Sequence, residues 1–213
     1  MALTIAIDAL AGDPDFVPLR TLRGVRVDLR YAGTRNLLGR DLYAPHDCAW
    51  LHAQAADALQ RAADWLARER PALHLLVLDA ARPQRVQELF WRHVRGTRMQ
   101  AYFAPPERGS MHSFGMAVDL TLADAQGAEL DMGTPFDDTT ELSHPTLEHL
   151  HAATGALSEA QLGHRRLLRT AMLHGGWQPI STEWWHFDDT DYYFTPPPVV
   201  FGRDVGIRVT RSE

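Results

Sequence analysis

The stretch "GSMHSFGMAVDLTL" (109–122) places His112 and Asp119 on either side of a glycine, and "STEWWHF" (181–187) places Glu183 close to His186. Asp119 stands in an apolar run of Met, Ala, Val, Leu and Thr, where a carboxylate is costly unless something positive compensates it. Two neutral imidazoles and one carboxylate make a half-open donor set for a divalent metal, with zinc the natural ion. They leave a net charge of +1 and a position free for water. A cation on Asp119 would supply the missing compensation. Glu183 has the profile of a general base: a carboxylate beside a metal-bound water can take its proton during attack and return it to a leaving amine. Arg82, in "LDAARPQR" (78–85), sits where a buried strand gives way to a helix. A guanidinium there can stabilise the oxyanion that develops as water adds to a carbonyl, a contribution of about 3–4 kcal/mol. The chemistry implied is metal-assisted hydrolysis of an amide.

Taken singly, each of these residues has a plainer explanation. His112 can be an ordinary loop histidine, Asp119 a hydrogen-bonded strand residue, Glu183 a satisfied rim carboxylate, and Arg82 the ion-pair partner of Asp79. A second histidine group, His144, His149 and His151, lies in a segment that reads as a solvated helix or loop. The lone Cys48 has no partner for an internal disulfide and reads as a small buried side chain. The joint pattern carries the functional reading.

Several elements must position these groups. "GVRVDLRY" (24–31) alternates as a strand does. Leu51, Ala55, Leu59, Ala62 and Leu66 recur at helical spacing within 48–69, with Asp47 as the N-cap and Pro71 beyond the end. "LHLLVLD" (73–79) reads as a buried strand, and Pro83 suits the first turn of a helix reaching about Val94. "GMAVDLTL" (115–122) is a further strand, and "DAQG" (124–127) its reversing turn. Ser158 and Gln161 form a capping box for a helix that reaches about Leu173 and stops at Gly175-Gly176. "EWWHF" (183–187) is strand-like, but Glu183 and His186 would point to opposite faces of an ideal strand, so a bend near Trp184-Trp185 is required. The irregular stretch 129–157 reads as a functional loop region. Strands and helices mix without βαβ alternation, so the class is α+β: a single domain over 1–213 with a central, mainly antiparallel sheet flanked by helices.

The chain has 213 residues, 45% of them hydrophobic and 23% charged, with a net charge of −6. That balance argues against nucleic acid or an anionic membrane as partner. The N-terminal segment lacks the basic start of a secretory signal, and no stretch is apolar enough to span a bilayer. A cytoplasmic protein acting on a small substrate is the expectation; the sequence leaves the oligomeric state open.

The motifs resemble those of the zinc D-alanyl-D-alanine dipeptidases, the VanX-like branch of the D-Ala-D-Ala metallopeptidases. S-x-H-x-x-G-x-A-x-D is met by Ser110, His112, Gly115, Ala117 and Asp119, and E-W-W-H by Glu183 to His186. Further similarity lies in "LRYAGTRNLLG" (29–39), "LDAARP" (78–83), "MGTPFD" (132–137) and the helix around "RRLLRTAM" (165–172), covering about 25–195. The resemblance implies a hedgehog/D-Ala-D-Ala metallopeptidase type of fold, with one Zn2+ on His112, Asp119 and His186. It implies Glu183 as base and Arg82 as stabiliser of the tetrahedral intermediate. It also implies that Asp137 receives the free ammonium of the dipeptide, with Ser110 lining the same pocket. "MGTPFD" favours the dipeptidase over two alternatives, a zinc D,D- or L,D-carboxypeptidase acting on peptidoglycan stems and a non-catalytic metal- or peptide-binding module. The chain departs from the family pattern at Ala80-Ala81 and in a short 96–109 segment. The tail 196–213 lies outside the resemblance, a clasp on the core or an assembly contact.

Overall fold

The computed structural model describes residues 3–189, 200–201 and 206–209. Ten strands occur among them: β1 (Leu3–Ala6), β2 (Phe16–Pro18), β3 (Val25–Val27), β4 (Trp50–His52), β5 (Leu73–Asp79), β6 (Ala117–Asp124), β7 (Trp177–Pro179), β8 (His186–Asp189), β9 (Val200–Phe201) and β10 (Gly206–Val209). Four α-helices accompany them: α1 (Ala53–Glu69), α2 (Gln84–Val94), α3 (Glu148–Ala153) and α4 (Glu159–Gly175). The central sheet has the order β3-β5-β6-β8-β7, parallel between β3 and β5 and antiparallel elsewhere. The α+β class with a mainly antiparallel sheet is what the sequence predicts.

Because side chains alternate along a strand, the sheet has two distinct faces. Leu75 and Val77 of β5, with Val118, Leu120 and Leu122 of β6, join the main core. Ala55, Leu59, Ala62 and Leu66 of α1 and Leu168 and Met172 of α4 belong to that core. The residues between them, Leu76, Leu78 and Ala123, meet Phe136 on the other side. Asp119 and Thr121 share the parity of Ala123. By strict alternation Asp79 would point with Leu75 and Val77, but the pairing slips between Val77 and Asp79. Val77 stands opposite Leu120 and Asp79 opposite Asp119, so β5 carries one residue too many. A bulge of this kind re-aims a side chain, and here it turns Asp79 toward Asp119.

Several predicted boundaries move. The strand expected at 24–31 is only β3, followed by a 3-10 turn at Arg30–Ala32. The helix expected from 48 begins at 53, because 50–52 pair with β2. His52, not Asp47, caps it by accepting from the Gln54 amide. Asp47 instead binds the Ala49 amide and pairs with Arg20. Pro83 is the N-cap of α2 rather than its first residue. The capping box at Ser158 and Gln161 forms as predicted, and Gly176 ends α4 in the left-handed region at φ 101°. The tryptophan segment is not strand until His186; Glu183 to Trp185 form the required bend. Within 129–157 lie three short helical segments, among them α3.

Of the 196–213 tail, β9 and β10 build a small antiparallel sheet with β1. This sheet lies against the Met111–Phe114 turn. The triple proline at 196–198 lies outside the described residues. Among the described residues no helix is long and apolar enough to cross a membrane.

Candidate active site

The site assembles on the sheet face turned away from α1 and α4. Asp79, Asp119 and His186 stand in one row across β5, β6 and β8, each directly opposite the next. His112 arrives from a 3-10 turn, Met111–Phe114, that ends at Gly115. Gly115 has φ 69°, and a Cβ there would meet Phe16 at 2.9 Å and the His52 amide nitrogen at 3.0 Å, so only glycine lets the chain return to β6.

The donor atoms of His112, Asp119 and His186 lie within 4.8 Å of one another. His112 Nε2 is 3.2 Å from His186 Nδ1 and 3.3 Å from Asp119 Oδ1, and His186 Nδ1 is 2.9 Å from Asp119 Oδ1. The outer ring nitrogens are also held. His112 Nδ1 is 2.9 Å from the Ala80 carbonyl, and His186 Nε2 is 3.0 Å from Asp188 Oδ1. Those partners fix each imidazole so that the remaining nitrogen can offer a lone pair to the shared centre, the usual arrangement behind a metal-ligating histidine. Two nitrogens and one oxygen, converging from two buried residues and the part-buried His186, fit a divalent cation.

The electrostatics agree. Burial works against ionisation of Asp119, yet His112 and His186 hold its carboxyl well below the usual range. His186 is raised well above an ordinary histidine; Asp188 and Asp119 outweigh its burial. Glu183 Oε2 lies 4.0 Å from His186 Nδ1, and burial pushes this carboxyl up to about 8. Without a cation, the cluster keeps protons that ordinary carboxylates would release.

Arg82 is buried and charged. Its Nε and Nη2 donate to Asp79 Oδ2 at 2.9 and 2.7 Å, and Nη1 donates to Gln87 at 3.0 Å. A guanidinium has five N–H donors, so two remain for another acceptor. The plain expectation of an Arg82–Asp79 ion pair and the functional one are therefore compatible. Asp79 also accepts from the Tyr43 hydroxyl and from the Ala80 amide. Asp137 has φ 65°, alone among the described non-glycine residues in the left-handed region. It accepts from the Tyr31 hydroxyl at 2.8 Å, while its Oδ2 is enclosed without a partner. Burial raises its carboxyl to about 7.

All seven residues singled out in the sequence, Arg82, Ser110, His112, Asp119, Asp137, Glu183 and His186, line one cavity of about 400 Å³. That volume sits at the small end of the usual ligand-pocket range, about 300–1,000 Å³. His144, His149 and His151 do not join it; His144 meets Tyr102, and His151 meets the Glu141 carbonyl. Four contributors escape the sequence reading: Tyr31, Gln87, Asp188 and the supporting role of Asp79. Asp188 follows His186 at strand spacing, two residues on, which was a usable signal. Tyr31 lies in the similarity segment 29–39, which gives it no role, because its partner Asp137 is 106 positions away.

A mixed sheet carrying two histidines, convergent carboxylates and a buried arginine around a small cavity offers a divalent cation a place beside a substrate-sized space. Residues 14–199 match the family model for D-Ala-D-Ala dipeptidases of the M15 peptidases, and the chain belongs to that family. It is 35% identical over 164 residues to the D-alanyl-D-alanine dipeptidase of Escherichia coli (strain K12), covering 77% of this chain and 78% of that one. It is 32% identical over 185 residues to the D-alanyl-D-alanine dipeptidase of Enterococcus faecium, covering 78% and 86%.

Proposed function

We propose that the protein hydrolyses D-alanyl-D-alanine to two D-alanines, with one zinc ion held by His112, Asp119 and His186. The observation that carries this reading is the convergence of those three donors within 4.8 Å, in the same small cavity as Glu183, Arg82 and Asp137. When bound, a zinc ion supplies Lewis acidity, lowering the pKa of water and polarising a carbonyl. Glu183 accepts the proton of the attacking water and hands it to the departing amine. Positive charge at the three donors would draw Glu183 down from about 8 toward the ionised form that a base needs. Arg82 turns its two remaining N–H groups to the developing oxyanion, and Asp79 keeps the guanidinium from following the substrate. Asp137 receives the substrate ammonium on its unpartnered oxygen, with Ser110 in the same wall. A closed pocket that matches charges at the substrate's amino end disfavours peptides extended at that end, whose neutral amide would leave Asp137 unpaired.

The main core draws on described residues from Ile7 to Phe187, which supports the reading of one catalytic domain, and a cytoplasmic location is part of the same proposal. The test is metal analysis together with hydrolysis of D-Ala-D-Ala, its L,L isomer, an N-acetylated dipeptide and a pentapeptide stem. One zinc per chain and turnover of the free D,D-dipeptide alone are expected. Preference for the pentapeptide would make the protein a carboxypeptidase, and metal binding without hydrolysis of any of them would make it a binding module.

A further inference from the structure

Glu183 and Asp137 sit on separate loops, which meet where the Phe136 and Trp185 rings pack edge to face and where the Thr134 hydroxyl bridges them. Thr134 Oγ1 lies 2.8 Å from Trp184 Nε1, 3.4 Å from Arg165 Nη2 and 2.9 Å from Ser143 Oγ. An indole N–H and a guanidinium can only donate, so Thr134 accepts twice and its own proton must go to Ser143. Ser143 then donates onward to Asp138 Oδ1 at 3.3 Å. Every direction in the chain Trp184, Thr134, Ser143, Asp138 is thereby determined. Its two ends are the immediate neighbours of Glu183 and Asp137.

Arg165 anchors the hub. It is 1% exposed, and its Nε and Nη1 donate to the carbonyls of Met132 and Leu142 at 2.7 and 3.0 Å, on either side of the segment bearing Asp137. Glu148 balances its charge from 3.8 Å and is shared with Arg169 at 3.1 Å. The Arg165 guanidinium also stands 5.8 Å from the Trp184 ring centre. The unfavourable backbone of Asp137 at φ 65° needs such support, because strained residues persist only where their surroundings over-determine them.

We infer that Thr134, anchored by Arg165, is a positioning residue that fixes Asp137 relative to Glu183, and so sets the distance from substrate ammonium to scissile bond. The inference rests on the roles proposed above for Asp137 and Glu183. The hydrogen bonds and ion pairs of Thr134, Ser143 and Arg165 run to groups other than the three metal donors, so loss of the Thr134 hydroxyl is expected to leave metal binding intact.

The test compares Thr134→Val, Thr134→Ser and Ser143→Ala as zinc-loaded, full-length proteins, with metal content and thermal unfolding measured beside kinetics on D-Ala-D-Ala and on release of the C-terminal D-alanine of D-Ala-D-Ala-D-Ala, whose ammonium lies one residue further from the bond cut. Thr134→Val frees both loops: kcat falls about 10- to 100-fold, KM rises and the dipeptide-to-tripeptide ratio of kcat/KM drops about tenfold, since a displacement near 1 Å costs about 10²-fold. Thr134→Ser keeps the hydroxyl and restores wild-type values. Ser143→Ala cuts only the Asp138 end, raising KM while kcat stays within about twofold of wild type, a split that general loosening would not produce. An unchanged substrate ratio in folded, metal-loaded Thr134→Val and Ser143→Ala overturns the inference while leaving the function intact. If Thr134→Val does not fold, an unchanged KM in Ser143→Ala overturns it. A wild-type protein that carries zinc yet hydrolyses neither peptide overturns the proposed function itself.

Discussion

Asp79 and Asp119 face each other across β5 and β6, two buried carboxylates where like charges repel. Arg82 reconciles them: its Nη2 lies 2.7 Å from Asp79 Oδ2 and 3.6 Å from Asp119 Oδ2. The arginine therefore has a structural duty as well as a chemical one. Arg82→Ala strips the buried Asp79 of its close cation and leaves Asp119 to His112 and His186, and should destabilise the fold by about 3–5 kcal/mol. Arg82→Lys restores charge but not the fork, so stability recovers in part while turnover stays about 10²-fold down. Thermal unfolding and kcat measured on the same preparations test this. An Arg82→Ala protein that melts at the wild-type temperature would show that the arginine has no such duty.

Glu183→Gln keeps the shape of the site and removes the base. Metal content should be unchanged while kcat falls about 10²- to 10⁴-fold. His112→Ala should do the opposite at the first step and lose the metal. Metal analysis beside turnover separates the two, and a Glu183→Gln enzyme with most of its activity would remove Glu183 from the chemistry.

The metal-free protein should lose stability as pH rises. Glu183 and Asp137, raised to about 8 and about 7, keep protons in the folded chain that the unfolded chain has released. His186, also raised, acts in the same sense. Wherever the folded state binds more protons, stability falls with pH, here from about 5 to about 8. Asp119 has the opposite sign, but only in more acid solution. Melting temperatures of chelator-treated protein should decline across that window, and Glu183→Gln should flatten the decline. A melting temperature that rises from pH 5.5 to 8.5 would contradict the proton inventory of the site.

Legibility followed sequence distance and chemistry. His112, Asp119, Glu183 and His186 were readable because their residue types are costly in apolar surroundings without a shared purpose. β5 was readable because seven residues between breakers leave little choice. The β5 bulge was not: an apolar strand carries no mark of where its partner falls one residue short, so Asp79 looked like a local partner of Arg82 and nothing more. The N-terminus of α1 was misplaced because 50–52 have helical spacing yet are claimed by β2, a tertiary competitor that periodicity cannot reveal. Tyr31 and Thr134 lie inside the similarity segments 29–39 and 132–137, but each acts through a partner far along the chain, so neither segment announces what its residue does.

Asp137→Asn should raise KM for the free dipeptide by about 10- to 100-fold and leave an N-blocked analogue unaffected, because a charge-assisted contact is lost in a largely enclosed site. Since only the ionised carboxyl attracts an ammonium, wild-type KM should also climb as pH drops below about 7. A KM for the free dipeptide that is indifferent to both changes would take Asp137 out of substrate binding.

Cys48 is fully buried in the main core, and burial pushes its thiol well up. Alkylating reagents therefore meet an inert sulfhydryl while the core stays closed. A single cysteine introduced on the surface could carry a fluorophore without first removing the native one, while slow modification of Cys48 itself would clock how often the interior opens.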